Sequence, residues 1–263
     1  MSAILEIKGL TRRFGGLVAV NSVSVEVARG QVHGLIGPNG AGKTTLLNLI
    51  GGQTSPSEGQ IVYNGRPIGH LSVEKRASVG IRRTFQNIKL FRDMSVLDNV
   101  KVGLHLSGRA EIFRSIFRTS SQRFEERELE QKAMVALCVV GLEDVAHLPA
   151  SSLAYGHRRL LEIARALAAE PELILLDEPA AGLNPTEAAS LADLIPRFAQ
   201  RGIAVVLVEH HMDVVMRVCH RITVLNHGRL LAEGSPEEIQ QHPDVIAAYL
   251  GGSSAVGGRP CFR

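Results

Sequence analysis

Apolar and polar residues alternate within the first seventy residues with the period of two that is typical of β-strands. The alternation runs over 5–8 and again over 23–27. Between the apolar residues of 61–63 and the next apolar position stands the dipeptide Asn64-Gly65, which favours a hairpin with a tight primed turn. The beginning of the chain is therefore predicted to contain antiparallel β-sheet.

The period changes in the middle of the chain. From about residue 72 to residue 150, strand alternation is lost and apolar residues recur every three or four positions, which predicts a helical insertion. Short apolar runs at 173–176 and 203–208 then flank a helical pattern over 185–200. Asn184 is the predicted N-cap of that helix, because a proline follows it directly and a glutamate stands three positions on. Strands and helices that alternate in this way predict βαβ units of a parallel sheet.

These segments predict the α/β fold class, with a mainly parallel core sheet, an antiparallel β flank and a helical subdomain. The subdomain is predicted at about 88–165, inserted into a single domain that spans 1–250. A chain of 263 residues is long enough for one such domain. The final segment 251–263 is rich in glycine and serine and is predicted to be disordered.

Composition and charge exclude several classes of protein. Hydrophobic residues make up 45% of the chain and charged residues 21%, as in ordinary globular domains. A formal net charge of +3 is too small for a protein that coats nucleic acid, so no nucleic-acid partner is expected. Cys138, Cys219 and Cys261 show no metal-binding spacing, which favours a reducing cytoplasm over a disulfide scaffold. The longest run without a polar side chain, 133–142, is too short to span a bilayer, and 1–6 shows no secretion signal.

A glycine-rich segment between a predicted strand and a predicted helix fits the pattern G-x-x-x-x-G-K-[ST] of phosphate-binding loops. Its glycines allow successive N–H groups to converge on phosphate oxygens, Lys43 reaches the β- and γ-phosphates, and the Thr44 hydroxyl is a ligand for Mg²⁺. The residues predicted to bind ATP are Gly37, Pro38, Asn39, Gly40, Ala41, Gly42, Lys43, Thr44 and Thr45. The chain is therefore predicted to contain a P-loop nucleotide-binding domain.

Two adjacent carboxylates, Asp177 and Glu178, end the buried strand predicted at 173–176. Neighbouring side chains along a strand point to opposite sides, so the two acids can have different roles. In a phosphate-loop enzyme Asp177 holds Mg²⁺ through water, and Glu178 is the catalytic base that polarises the attacking water. The alternative is that both acids only cap the turn at Pro179.

Further segments give the sequence a resemblance to the ATP-binding-cassette (ABC) ATPases. The segment 153–157 resembles the signature loop of that family, normally Leu-Ser-x-Gly-Gln, and a predicted helix follows it. A helix N-terminus carries free N–H groups and a partial positive charge, both suited to a γ-phosphate. In this family the phosphate belongs to ATP on a partner ATPase, so two ATP molecules lie in a head-to-tail dimer. The signature residues implied are Leu153, Ala154, Tyr155, Gly156 and His157.

The same resemblance implies roles for other positions. Gln86 matches the Q-loop, which senses Mg²⁺ and couples the ATPase to the membrane domain, and His210 matches the switch histidine that contacts the γ-phosphate in catalysis. Phe14 matches the aromatic residue that stacks on adenine. The D-loop residues implied are Gly182, Leu183 and Asn184, and the metal ligands implied are Thr44, Gln86 and Asp177.

The chain also departs from the superfamily pattern. Ala154 replaces the signature serine, which removes one hydroxyl donor to the γ-phosphate, worth about 0.5–3 kcal/mol. His157 replaces the usual glutamine, Asn184 the D-loop aspartate, and His211 the aspartate that commonly follows the switch histidine. Both His157 and His211 have an alternative interpretation as solvated surface residues.

Within the superfamily, the chain resembles the longer ATPase subunit of bacterial branched-chain amino acid importers, in which Ala154 and Asn184 are normal. The segments that match are 83–86, 90–96, 153–156, 177–185 and 243–251, together with the long helical insertion. This resemblance implies a subunit that binds and hydrolyses ATP with Mg²⁺ to energise import. It implies membrane permease subunits, a second ATPase that is a sister or identical chain, and indirectly an extracytoplasmic solute-binding protein as partners. The implied location is the cytoplasmic face of the bacterial inner membrane.

Other functions fit parts of the pattern. The ATPases of lipid or lipopolysaccharide export and of urea uptake are related alternatives, and the long insertion counts against the lipopolysaccharide type. Cassette ATPases that act on DNA or ribosomes usually carry a coiled coil or a second cassette, for which this chain has no room. Four arginines and two phenylalanines interleave within 109–123, so this segment either contacts anionic lipid or a membrane subunit, or forms a solvated helix pair.

Overall fold

A computed structural model describes residues 3–84, 89–105 and 120–250 of the chain. The strands are β1 (Ala3–Phe14), β2 (Leu17–Ala28), β3 (Val32–Ile36), β4 (Glu58–Tyr63), β5 (Arg66–Pro67), β6 (Ile81–Arg83), β7 (Leu173–Asp177), β8 (Ala204–Val208), β9 (Arg221–Asn226) and β10 (Arg229–Gly234). The helices are α1 (Lys43–Gly51), α2 (Val73–Ser78), α3 (Val96–His105), α4 (Ser120–Val140), α5 (Tyr155–Leu167), α6 (Pro185–Gln200), α7 (Met212–Val218), α8 (Pro236–Gln241) and α9 (Pro243–Leu250). Short 3-10 turns lie at Glu143–Val145 and Ala150–Ser152.

The strands form two sheets, which confirms the predicted α/β class. An antiparallel sheet has the order β2-β1-β4-β5, and a six-stranded sheet has the order β10-β9-β3-β8-β7-β6. In the larger sheet β3 pairs in parallel with β8 and β9, β8 with β7, and β7 with β6, whereas β10 is antiparallel to β9. The turn at Asn64 and Gly65 has positive φ at both residues, as the predicted primed turn requires.

The predicted helical insertion was wrong at one point, because β6 is a strand inside the stretch from which strands were expected to be absent. Ile81 pairs with Leu173 and Arg83 with Leu175, so β6 extends the parallel sheet at its edge. Three residues that include two arginines show no apolar run or alternation. The strand therefore depends on the ladder that β7 offers rather than on local sequence.

Within the predicted subdomain, α3, α4 and α5 pack against one another as expected from their helical periodicity. Val100 of α3, Leu137 of α4 and Leu161 of α5 are fully buried in one apolar cluster. The limits of the subdomain and of the single domain remain predictions. The predicted Q-loop residue Gln86, the arginines and phenylalanines of 109–118, Cys261 and the tail 251–263 lie outside the described residues. Among the helices that the structure describes, none has both the length and the apolar character needed to span a bilayer.

Both faces of the parallel sheet are covered. Neighbouring residues of β3 point to opposite sides: Leu35 joins the apolar cluster between the two sheets, and Ile36 joins the cluster that includes the helical region. The strands β3, β7 and β8 are buried along their whole length. This explains why residues 173–176 and 204–208 are continuous apolar runs instead of alternating ones.

The register of the sheet brings three strand ends level. Val208, the last residue of β8, pairs with Leu35 on one side and with Asp177 on the other. The loops that follow β3, β7 and β8 therefore begin side by side at one edge of the sheet. Capping boxes at Asn184 and Ser235 start α6 and α8, and the first of them confirms the predicted N-cap at Asn184.

His33 is a buried polar residue in the central strand β3. Its Nε2 lies 2.8 Å from the Thr223 hydroxyl, and its exposed fraction is 1%. Burial, and next the charge of Arg221, lower the pKa of His33 to about 4. The folded protein therefore holds this imidazole neutral at pH values where the unfolded chain binds a proton.

We expect acid to destabilise the protein through His33. Between an unfolded pKa of 6.5 and a folded value of about 4, only the unfolded state is protonated, so stability falls as pH falls through this range. The difference in unfolding free energy between pH 7 and pH 4.5 should be about 2 kcal/mol smaller in His33→Gln than in the wild type. Urea unfolding of both proteins at the two pH values measures it, and an identical pH dependence would contradict the assignment.

Candidate nucleotide-binding site

The loop after β3 adopts the conformation that a phosphate-binding loop needs. Gly37, Gly40 and Gly42 have φ values of 150°, 77° and 101°. A Cβ atom on Gly37 would lie 2.1 Å from the carbonyl oxygen of Leu225, and one on Gly42 would lie 2.5 Å from that of Ala19. The loop is thus enclosed by neighbouring backbone, and glycine is required both for the torsion angles and for the close approach.

Lys43 folds back across this loop. Its Nζ donates hydrogen bonds of 2.7 Å and 2.9 Å to the carbonyl oxygens of Gly37 and Pro38, and the residue is 6% exposed. Burial lowers the pKa of Lys43, and the nearby charge of Glu178 acts in the opposite direction. A cation held over converging N–H groups is complementary to a polyphosphate.

A cleft of about 430 Å³ opens over the loop. Its lining consists of Leu17, Val18, Ala19, Asn39, Gly40, Ala41, Gly42, Lys43, Thr44, Thr45, Glu178, His210, His227 and Gly228. Three groups that are distant in sequence therefore share one cavity: the phosphate loop, the predicted base and the predicted switch histidine.

Glu178 and His210 form a close pair in this cleft. His210 Nε2 lies 2.6 Å from Glu178 Oε1, and the Glu178 backbone N–H donates to the Val208 carbonyl at 2.9 Å. Glu178 has a left-handed φ of 48° and lies just beyond β7. The predicted reason for its divergence from Asp177 was therefore wrong, because the chain leaves the extended conformation before strand alternation could apply. Positive φ is uncommon for residues other than glycine, and the residues that adopt it cluster at functional sites.

Asp177 is held by an arginine that the sequence had not singled out as a site residue. Arg83 Nη2 lies 2.8 Å from Asp177 Oδ2, and both side chains are at most 9% exposed. Arg83 also donates to Asn48 Oδ1 of α1 at 2.6 Å. The carboxylate of Asp177 and the hydroxyl of Thr44 are hard oxygen donors of the kind Mg²⁺ prefers, so these residues fit the predicted metal.

The signature and D-loop residues contact each other within this chain. The Tyr155 hydroxyl donates to the Ala181 carbonyl at 3.3 Å, and a Cβ on Gly182 would lie 3.1 Å from the Tyr155 ring. Ala154 is the N-cap of α5 and provides no side-chain hydrogen bond, so it leaves the first N–H groups of the helix uncapped. In the described part of the chain, neither of these two segments contributes to the lining of the phosphate-loop cleft.

Comparisons with known proteins agree with this geometry. A family model described as "ABC transporter" matches residues 20–181 of the sequence. This chain belongs to the ABC transporter family. A second family model, described as "Branched-chain amino acid ATP-binding cassette transporter", matches residues 229–255. Membership confirms the predicted enzyme class, an ATPase coupled to transport.

Two curated relatives are similar over nearly the whole ABC ATPase. The high-affinity branched-chain amino acid transport ATP-binding protein BraF of Pseudomonas aeruginosa is 45% identical, covering 94% of this chain and 98% of the relative. The protein of the same description named LivG, from Salmonella typhimurium, is 44% identical with the same coverage of both chains.

Solved structures share the fold. The ATP-binding cassette of an ABC transporter in its ADP conformation superimposes with a TM-score of 0.84 at 30% identity, covering 95% of this chain and 100% of that one. A dimeric bacterial ABC transporter cassette superimposes with a TM-score of 0.73 at 26% identity, covering 88% and 98%.

Among the described residues, the predicted site residues Phe14, Gly37, Pro38 and Asp177 do not line the cleft, and neither do the signature and D-loop residues. Gln86 lies outside the described residues, and Phe14 is placed at the end of β1. The guanidinium carbon of Arg12 lies 4.5 Å from the centre of the Phe14 ring, and Phe14 is 46% exposed. The adenine-stacking role of Phe14 remains a prediction.

Sequence reasoning missed one wall of the cleft, which is formed by β2 and the turn between β9 and β10. The Gly228 N–H donates to the Ala41 carbonyl at 3.0 Å, and the Asn21 N–H donates to the Gly228 carbonyl at 2.7 Å. The dipeptide His227-Gly228 has positive φ at both residues, and its glycine is the sequence signal that could have indicated the turn. Its position against the phosphate loop was not.

We expect Gly42→Ala to destabilise this ATPase more than Gly202→Ala. Both glycines have positive φ, which costs an alanine about 1–2 kcal/mol, but a Cβ on Gly202 meets no atom within 4 Å. At Gly42 the clash with Ala19 adds about 1–3 kcal/mol and displaces the loop. Urea unfolding and calorimetric titration with ATP measure the two effects. Equal stabilities with equal ATP affinities would contradict the role given to the close approach.

Proposed function

We propose that this ABC ATPase binds and hydrolyses ATP in order to energise an importer of branched-chain amino acids. The observation that carries the catalytic part is the cleft in which Lys43, Glu178 and His210 meet at the phosphate loop. Support for the cargo comes from the names of relatives at 44–45% identity and from the second family model at the C-terminus.

The chain's own residues divide the catalytic work. The N–H groups of the glycine loop and the Lys43 ammonium bind the phosphates, and Glu178 accepts the proton of the attacking water. His210 holds the Glu178 carboxylate through its Nε2 contact and faces the same cleft. Thr44 and Asp177 would hold Mg²⁺, which neutralises charge on the phosphate oxygens when it is bound.

We propose that a second ATPase subunit completes each site. The signature residues lie against the D-loop, with Tyr155 on Ala181 and Gly182, and not in the cleft of their own chain. The free N–H groups at the start of α5 are therefore available to ATP on a partner, in a head-to-tail dimer with a sister or identical chain. A dimeric cassette with the same fold supports this arrangement.

A groove on another face is the proposed docking site for a membrane permease. Its volume is about 690 Å³, and it lies between α2, β6 and the helical region. Exposed apolar side chains such as Val73 and Phe91 line it together with the cations Arg82, Lys89 and Arg165. Residues 81–83 and 89–91 of this lining lie on either side of the predicted Q-loop residue Gln86 in the sequence. A permease bound in the groove would therefore respond to the state of the Q-loop. Such a complex places the ATPase at the cytoplasmic face of the inner membrane, with a solute-binding protein outside.

Replacing Glu178 with glutamine should separate ATP binding from ATP hydrolysis. Glu178→Gln keeps the shape of the cleft but cannot accept a proton, so turnover should fall by about 100-fold or more while ATP affinity is retained. Lys43→Ala should weaken ATP binding itself. The measurement is ATPase rate and ATP affinity together with uptake of labelled leucine, in cells that lack this chain and carry each variant.

Rescue of leucine uptake by wild type alone would support both the cargo and the catalytic base. Normal turnover in Glu178→Gln would remove Glu178 from its role. Normal leucine uptake without the chain, in cells that lack other leucine systems, would reject the cargo and leave the ATPase with another one.

The groove predicts a variant that hydrolyses ATP but does not support transport. Phe91 is 50% exposed, so Phe91→Glu should leave the basal ATPase rate of the isolated subunit unchanged and abolish co-purification with the permease. Leu230→Glu, at a 41% exposed leucine outside the groove, is the matched control and should co-purify normally. Wild-type co-purification and uptake with Phe91→Glu would place the permease elsewhere.

A further inference from the structure

Glu209 is a buried carboxylate to which the proposed mechanism gives no role. It follows β8 directly, precedes His210 and is 1% exposed. Burying a carboxylate is costly unless hydrogen bonds replace the lost water, so the contacts of Glu209 show what its position serves.

Both oxygens of this carboxylate accept hydrogen bonds from two different loops. Oε1 accepts from the Ala180 backbone N–H at 2.6 Å. Oε2 accepts from the N–H groups of His210 at 3.0 Å and His211 at 3.3 Å, and lies 3.1 Å from His211 Nδ1. Ala180 begins the segment that leads into the D-loop, so one side chain joins the loop after β7 to the loop after β8.

These bonds close a ring around the catalytic pair. Glu178 stands two residues before Ala180, and its backbone N–H is bonded to Val208, the residue before Glu209. On the other side His210 Nε2 lies 2.6 Å from Glu178 Oε1. The separation of Glu178 and His210 is therefore set by two backbone segments that Glu209 holds together.

We propose that Glu209 is a positioning residue that holds Glu178 and His210 in the relative position needed for hydrolysis and links this position to the D-loop. The inference rests on the proposed catalytic roles of Glu178 and His210. A shift of about 1 Å in a reacting group lowers rates by as much as about 100-fold. In the described part of the chain, Glu209 makes no hydrogen bond to the phosphate loop that holds ATP.

The chemistry of the contacts requires a carboxylate. A carboxamide has one acceptor oxygen and one NH₂ group. In Glu209→Gln the backbone N–H donor of one of the two loops would therefore face the NH₂ donor of the side chain. Glu209→Asp keeps the charge but is one methylene shorter, so it cannot reach both loops. Both variants should loosen the relative position of Glu178 and His210 without removing any group that touches ATP.

The test compares Glu209→Gln and Glu209→Asp with the wild type and with Glu238→Gln. Glu238 is the matched control, because it also accepts a backbone N–H, that of Ser235 at 2.8 Å, but in the capping box of α8. We expect kcat to fall between about tenfold and 100-fold in both Glu209 variants, with KM and ATP affinity within about threefold of wild type. Glu238→Gln should keep kcat.

Three outcomes would overturn the proposal. The first is kcat within twofold of wild type in both Glu209 variants, and the second is loss of ATP affinity in parallel with kcat. The third is loss of the folded protein in both variants, since this assigns Glu209 to stability alone. Glu178→Gln is measured in parallel: if it turns over normally, the proposed catalytic roles fail first and the inference falls with them, whereas an inactive Glu178→Gln beside active Glu209 variants overturns the inference alone.

Discussion

Five neighbouring strands of the core sheet, β9, β3, β8, β7 and β6, run in parallel, so their carboxyl ends lie along one edge. The register is decided by backbone hydrogen bonds, and Val208 pairs with both Leu35 and Asp177. As a result the phosphate loop, Glu178 and His210 leave the sheet at the same level. A slip of one residue in either ladder would move one of these groups by about 3.3 Å, which is more than catalysis tolerates.

The phosphate loop is shaped from outside as much as by its own glycines. Backbone oxygens of Leu225 and Ala19 lie too close to leave room for Cβ atoms on Gly37 and Gly42, so β9 and β2 enclose the loop. Gly228 adds a hydrogen bond from the turn between β9 and β10. The turn between β9 and β10 and the neighbouring strands β9 and β2 therefore determine the shape of the loop together. These contacts stabilise its positive φ angles.

Buried charges connect this edge to the elements behind it. Arg76 is 1% exposed and donates to the carbonyl oxygens of Leu49 and Ile50 at the end of α1, whose first residue is Lys43. Arg83 joins Asp177 to α1 through a different kind of contact, a hydrogen bond to the side-chain oxygen of Asn48. A cation at a helix C-terminus satisfies carbonyls that the helix leaves free. Both arginines therefore fix the helix that presents the phosphate-binding lysine.

The sequence alone determined the local features: the glycine loop with Lys43, the buried strand before Asp177, the capping box at Asn184 and the turn at Asn64. Each depends on neighbours within a few positions, and torsional preference or periodicity reports such neighbours directly. The α/β class followed from their order along the chain.

Only the tertiary structure decided which distant groups meet. It placed β6 beside β7 despite its two arginines, paired Asp177 with Arg83, put His227 at the wall of the cleft and set Glu209 between two loops. The sequence around each of these residues is compatible with an ordinary surface or core position. Their partners lie far away in the chain, and the pairing of strands that are distant in sequence brings these groups together.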